Sequence, residues 1–239
     1  MNLKGQRIVV LGGTSGIGLA TAQAAADEGA VVIVASKRPE RVERALAALP
    51  KTAQGHALDL ASEEQIRGFL QKIGAFDHLV YTAGETLQLG ELSAQGLDAA
   101  RQFFDVRFWG ALAAVKYASP HIRPGGSIVL SSGMAGRRPR KGWTIAASIC
   151  GAMDAFTRGL AVELAPIRVN TICPGLVRTE LWDDMTEQAR RQMYDRAGGV
   201  LPVGRVGEPQ DLAQAYLYAM REGFCTGQVI IVDGGASLV

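Results

Sequence analysis

Cysteine is scarce in this 239-residue chain. Cys150, Cys173 and Cys225 are odd in number and show no C-x-x-C spacing. A disulfide framework and a thiolate metal site are therefore excluded, and a reducing, cytoplasmic location is expected. Histidine is as rare, and His56, His78 and His121 stand too far apart for a local metal motif. Charge of either sign is not in excess: 25 Lys and Arg face 23 Asp and Glu, a net +2. Nothing in that balance calls for nucleic acid or an acidic membrane as partner. Long hydrophobic runs are also missing. The longest uncharged stretch, Ile8 to Ala26, contains four glycines, three Ser/Thr and a Gln, which is poor hydrocarbon filler for a membrane span. Arg7 leads straight into Ile8-Val9-Val10-Leu11, so no signal peptide is expected before the first strand. No internal repeat, low-complexity tract or Pro/Gly/Ser linker divides the chain, and residues 1–239 read as one domain.

What is present is an alternation of short apolar runs with helix-period segments. Strands are predicted at 8–11, 31–35, 56–58, 78–81, 127–131, 167–172 and 228–232. Helices are predicted near 16–28, 39–48, 62–73, 97–118, 145–164 and 209–220. Strands apolar on both faces, each followed by a helix, imply a parallel sheet covered on both sides. The segment 181–208 breaks the alternation. A short amphipathic stretch, Leu181–Arg196, runs into Gly198-Gly199 and Pro202. An insertion after a strand's carboxyl end is the position of a substrate lid.

Gly12-Gly13-Thr14-Ser15-Gly16-Ile17-Gly18 follows the first strand and opens a helix. Glycines allow a sharp turn and close approach of backbone to a pyrophosphate, and the helix start offers free N–H groups and a positive dipole end. At the end of the second strand, Ala35-Ser36-Lys37-Arg38 carries no acid. An acid there would bind a ribose 2′-hydroxyl; a hydroxyl and two cations suit a 2′-phosphate instead, which favours NADP(H) over NAD(H).

The glycine spacing resembles that of the short-chain dehydrogenase/reductase family, and the resemblance extends over nearly the whole chain. Asp59-Leu60 matches the place of an Asp beside the adenine. Tyr81-Thr82-Ala83-Gly84 matches the family's Asn-Asn-Ala-Gly. Asn170 to Thr179 is similar to its N-x-x-x-P-G-x-x-x-T segment, with Pro174-Gly175 in the turn and Val177 and Thr179 implied at the nicotinamide carboxamide. Thr226-Gly227-Gln228 and Val232-Asp233-Gly234-Gly235 resemble the last strand. The implied fold is a single doubly wound Rossmann-type α/β domain.

The catalytic pattern departs from the family. There, a Tyr and a Lys four residues on, a Ser, and an Asn on the long helix handle the substrate oxygen and its proton. No Tyr-x-x-x-Lys occurs in this chain. Matching the helix puts Ala146 at the Tyr place and Cys150 at the Lys place, and Val106-Arg107-Phe108-Trp109-Gly110 puts Arg107 at the Asn place. Ser132, after Ser131, is left as the matching Ser. A positioned general acid is worth about 10²–10⁴ in rate, so its absence matters. Arg107 cannot give up its proton and would serve as an electrostatic stabiliser. Lys141, in the run Arg137-Arg138-Pro139-Arg140-Lys141, is a substitute proton donor, and the run itself suits an anionic small-molecule substrate. The family's Thr and Asn tie two strand ends by a hydrogen bond; here Leu11 and Tyr81 replace them, and apolar contact is expected. Phe103, Phe104, Phe108, Trp109 and Phe156 exceed what the sheet needs, and the resemblance implies a homotetramer, or a dimer, through the two long helices. Two functions remain open: an NADP(H)-linked oxidoreductase on a small carbonyl or alcohol with a non-standard proton donor, or a catalytically impaired NADP(H)-binding sensor or subunit of a mixed oligomer.

Overall fold

The computed structural model describes residues 2–85, 87 and 89–239. Seven strands form one sheet: β1 (Arg7–Leu11), β2 (Val31–Ser36), β3 (Gln54–Ala57), β4 (Phe76–Tyr81), β5 (Ile122–Ser131), β6 (Arg168–Pro174) and β7 (Val229–Val232). All pairings are parallel and the order is β3-β2-β1-β4-β5-β6-β7. The order reverses between β1 and β4, and an open parallel sheet of this kind presents its ligand crevice at that switch, beyond the strand carboxyl ends.

Side chains alternate across β1. Val9 and Leu11 join a core with α3 (Glu63–Ile73), α5 (Ala111–Ala118) and α6 (Thr144–Glu163). Ile8 and Val10 join the opposite core with α1 (Gly16–Asp27) and α8 (Pro209–Arg221). This two-sided burial explains why the strands read as continuous apolar runs. The helix ends follow local chemistry. Pro39 opens α2 (Pro39–Ala47), Ser62 caps α3 by accepting from the Gln65 N–H, and Glu208 and Asp211 form a reciprocal box at α8. The buried Arg168 guanidinium donates to the Ala219, Met220 and Glu222 carbonyls at the end of α8, each at 2.8 Å. A cation suits that negative dipole end.

Two elements differ from the sequence expectation. The helix expected over 97–118 is interrupted. It runs as α4 (Leu97–Phe104), a π-helical turn Asp105–Gly110, then α5. Gly110 sits so close to β4 and the β3–α3 connection that an added Cβ would lie 2.3 Å from the Leu60 carbonyl oxygen and 2.6 Å from the Tyr81 hydroxyl. In the segment 181–208, α7 (Glu187–Val200) continues through Gly198-Gly199. Gly198 is packed against the Arg205 backbone, 3.4 Å from where a Cβ would stand, and that contact offsets the helix cost of about 1 kcal/mol per glycine.

His78 is 2% exposed and lies between β4 neighbours, its Nδ1 2.8 Å from the Ser127 hydroxyl and its Nε2 2.8 Å from Gln6 Oε1. The neutral ring satisfies both, accepting from Ser127 and donating to Gln6. Burial, then the nearby Arg168 charge, push its pKa down from 6.5 to about 4. The unfolded chain therefore binds the extra proton first. The stability this residue contributes is complete above pH 6.5 and is lost as pH falls toward about 4. Urea unfolding across that window should show a fall of up to about 3 kcal/mol, and His78→Gln should flatten it.

Candidate active site

The turn after β1 is built on close approach. Gly12 has φ of 87°, and a Cβ there would lie 2.5 Å from the Ala83 nitrogen. On Gly18 it would lie 2.3 Å from the Gly12 carbonyl oxygen and 2.4 Å from Thr82 Oγ1. The glycine loop, the start of α1 and the end of β4 thus interlock, with buried Gly13 and Thr14 inside the turn. Thr82 fastens this joint: its N–H and its hydroxyl both donate to the Leu11 carbonyl, at 2.9 and 3.3 Å. Leu11 and Tyr81 are register partners as expected, but a hydrogen bond through Thr82 joins the strand ends in addition to apolar contact. Ser15 caps α1 in extended conformation without a side-chain bond, and the first turn of α1, with Gly16, Ile17 and Gly18, carries no acid. These free N–H groups and missing Cβ atoms fit phosphate oxygens.

At the end of β2, Ser36 is half-buried, and Lys37 and Arg38 are exposed. Lys37 Nζ lies 2.8 Å from Asp59 Oδ2. That hydrogen bond, with a second from the Ala61 N–H, holds the Asp59 carboxyl below its usual range, and the same contact raises Lys37. Leu60 is buried behind it. From the other half of the sheet, Pro174-Gly175 turns against Asp233: a Cβ on Gly175 would lie 2.7 Å from the Asp233 Cα. Val177 is buried and bridges to Gly207. Thr179 and Glu180 reach Gly16, with the Thr179 methyl 3.2 Å and Glu180 Oε2 3.3 Å from a Cβ built there. No pattern in the sequence marks Glu180 as a neighbour of the glycine loop.

Beside this cradle four segments converge. Ser132 Oγ donates to the Cys150 carbonyl at 3.1 Å. The Cys150 thiol is pushed up by burial, against weaker lowering by the Gly136 backbone and Arg107, so it is neutral near pH 7. Ala146, one turn earlier on α6, is buried. Arg107, from the π-helical turn, donates through Nη2 to the Glu85 carbonyl and lies 4.9 Å over the Phe103 ring. Its Nη1 would stand 2.6 Å from a Cβ on Gly84. Its Nε is buried with no acceptor, and no carboxylate pairs with it among the described residues. Burial lowers its pKa, countered by Cys150 and Glu85, but a guanidinium stays charged. The Phe103 platform was legible as an i, i+4 neighbour of Arg107, a signal the motif matching passed over.

Lys141 is exposed and its ammonium sits 2.6 Å from Glu91. In the same run, Arg138 donates to the Ala236 carbonyl at 2.8 Å, Arg137 lies 3.7 Å from Asp154, and Arg140 stacks 5.5 Å over Trp143.

The cluster can polarise and hold an oxygen or an anion, through a hydroxyl and a fixed cation, without a phenol or an ammonium. Comparison with known proteins places it in context. The model of a family described as Enoyl-(Acyl carrier protein) reductase matches residues 12–237. The chain is 37% identical to Short-chain dehydrogenase/reductase ATR9 of Stachybotrys chlorohalonatus, over 99% of this chain and 98% of that protein. A solved small-chain dehydrogenase in complex with NADPH is similar at 41% identity and a TM-score of 0.89, covering 99% of this chain and 100% of that one. The MalC reductase/Diels-Alderase of Malbranchea aurantiaca superposes with a TM-score of 0.91 at 30% identity, covering 98% of this chain and 96% of that one. With the sheet order, the glycine cradle and these likenesses in agreement, the chain belongs to the short-chain dehydrogenase/reductase family.

Proposed function

We propose that the chain is an NADP(H)-dependent oxidoreductase acting on a small anionic carbonyl or alcohol, with Arg107 and Ser132 at the reacting oxygen. The observation that carries this reading is the half-buried Arg107 guanidinium, held against Gly84 with a buried, unsatisfied Nε and no ion pair among the described residues. Gly12, Thr14, Ser15, Gly16, Ile17 and Gly18 would hold the pyrophosphate. Ser36, Lys37 and Arg38 would hold the 2′-phosphate, Asp59 and Leu60 the adenine, and Thr82, Ala83, Gly84, Pro174, Gly175, Val177 and Thr179 the nicotinamide end. When bound, the dinucleotide supplies or accepts a hydride.

The rest falls to the chain. Ser132 turns its hydroxyl from the Cys150 carbonyl to the substrate oxygen, a rotation about one bond. Arg107 stabilises negative charge developing on that oxygen, where low dielectric strengthens the interaction and no reorganisation is needed. Neither group releases a proton readily, so the proton comes from water admitted to the cleft. Lys141, engaged by Glu91, takes no part in this scheme. Exposed Trp109, beside Phe108 on the interrupted helix, fits a contact with a second copy in a dimer or tetramer.

The second reading, an NADP(H)-binding sensor or a subunit of a mixed oligomer without turnover, is favoured by the sequence match that puts Ala146 and Cys150 at the places of the family's acid and cation, together with the burial that keeps the Cys150 thiol neutral. NADPH oxidation against a panel of neutral and carboxylate-bearing carbonyls separates the two. Under the first reading, carboxylate compounds turn over, Ser132→Ala slows them, and Arg107→Gln lowers kcat/KM by about 10²-fold. No turnover of any compound removes it.

Cofactor choice has its own test. Lys37 must serve both Asp59 and the phosphate, whereas Arg38 is free of an ion pair among the described residues. Arg38→Ala should weaken NADPH binding by about tenfold and leave NADH unchanged, and Lys37→Ala should act in the same direction, as read by calorimetry.

Restoring the family pair is a third test. Lysine at position 150 would stand beside Arg107, two cations together in low dielectric. The double change Ala146→Tyr, Cys150→Lys is expected to give little ketone reduction, and adding Arg107→Asn to raise it at least about tenfold. Steady-state rates of the two proteins decide it.

A further inference from the structure

Tyr81 is the largest buried side chain at the carboxyl end of β4, 1% exposed, at a position the family pattern gives to asparagine. Its ring fills the core under the π-helical turn. Its hydroxyl donates to the Val106 carbonyl at 2.5 Å, and Val106 immediately precedes Arg107. Its own backbone carbonyl accepts from the Ser131 hydroxyl at 2.7 Å, and Ser131 immediately precedes Ser132. Ser131 Oγ is in turn 2.7 Å from the Tyr216 hydroxyl, which anchors this joint to α8. One residue is therefore bonded to the sequence neighbours of both groups assigned to the substrate oxygen.

We propose that Tyr81 is the positioning residue of this site: its hydroxyl holds the π-helical turn at the Val106 carbonyl and so aims the Arg107 guanidinium past Gly84. The proposal deepens the reading of Arg107 given above and rests on it for its catalytic consequence. Three features support it. A π-helical turn is a rare, costly departure that persists where outside contacts hold it, often at functional sites. The outside contact is visible, because Gly110 leaves room for the hydroxyl: a Cβ there would come within 2.6 Å of it. An alternative role for Tyr81, as the missing phenol donor, does not fit. The hydroxyl is buried with its proton committed to Val106, and burial pushes its pKa far above the ordinary phenol range.

Tyr81→Phe keeps the ring and removes only the hydroxyl. In protein labelled with 15N-arginine, the Nε–H resonance lost in Arg107→Lys identifies Arg107. Its hydrogen exchange should accelerate by about 5–10-fold in Tyr81→Phe, the effect of one hydrogen bond, while core amides of β1 and β5 keep wild-type protection. Unchanged exchange, or an acceleration shared by those core amides, overturns the proposal. The kinetic arm uses the same variant. In the Arg107 protein, Tyr81→Phe should lower kcat by about 5–10-fold with the KM for NADPH unchanged, and in an Arg107→Gln background it should cause no further loss. Equal losses in both backgrounds would mean a general structural role and sink the proposal. If no carbonyl is turned over by any variant, the oxidoreductase reading fails, and the exchange measurement alone still decides what Tyr81 does.

Discussion

The site is organised around one partly compensated charge, the Arg107 guanidinium, which makes no ion pair among the described residues. Taking a guanidinium out of water costs several kcal/mol unless partners replace the lost hydration. Arg107 has partial compensation, a backbone carbonyl from Glu85 and the face of Phe103, and its Nε has none among the described residues. A fold tolerates such a residue where a ligand completes it. The surrounding residues are consistent with that cation and inconsistent with a second one. Cys150 presents a neutral thiol where a lysine would repel it, and Gly84 leaves the space that Nη1 fills.

The sequence carried the fold because its signals are local. Ile8-Val9-Val10-Leu11 has to be buried on both faces whatever follows, and Pro39 and Pro209 mark helix starts by their own geometry. The glycine loop was legible for the same reason, since strand, turn and helix are contiguous. The π-helical turn was not. The apolar spacing of 97–118 is that of an ordinary helix, and the bond that holds the turn open joins Tyr81 to Val106, 25 residues apart. Nothing in either residue's neighbourhood announces the other. Gly198-Gly199 misled for a related reason: two poor helix formers suggested an end to the amphipathic stretch before them, but a tertiary contact with the Arg205 backbone overrides their propensity.

The candidate site was half legible. Its cofactor part could be read as motifs, because each motif is a run of neighbours along the chain. Its reacting part is assembled from Gly84–Glu85, Phe103–Arg107, Ser132 and Cys150, and only the fold brings these together. Motif matching could name Arg107 and Ser132 as departures from, or remnants of, a pattern. It could not separate Arg107 from Lys141, which are both cations in the same half of the chain. The separation is electrostatic: Lys141 is in solvent and ion-paired with Glu91, whereas Arg107 is half-buried and makes no ion pair among the described residues.

The two halves are also mechanically one object. The segment Thr82-Ala83-Gly84-Glu85 leaves the end of β4 and touches the glycine loop with its first two residues and the guanidinium with its last two. Ala83 leaves no room for a Cβ on Gly12, and Arg107 Nη1 leaves none for a Cβ on Gly84. A chain that exchanged its proton-transfer pair for a fixed cation would gain from this arrangement, because a fixed charge is useful only if its direction is set before substrate arrives.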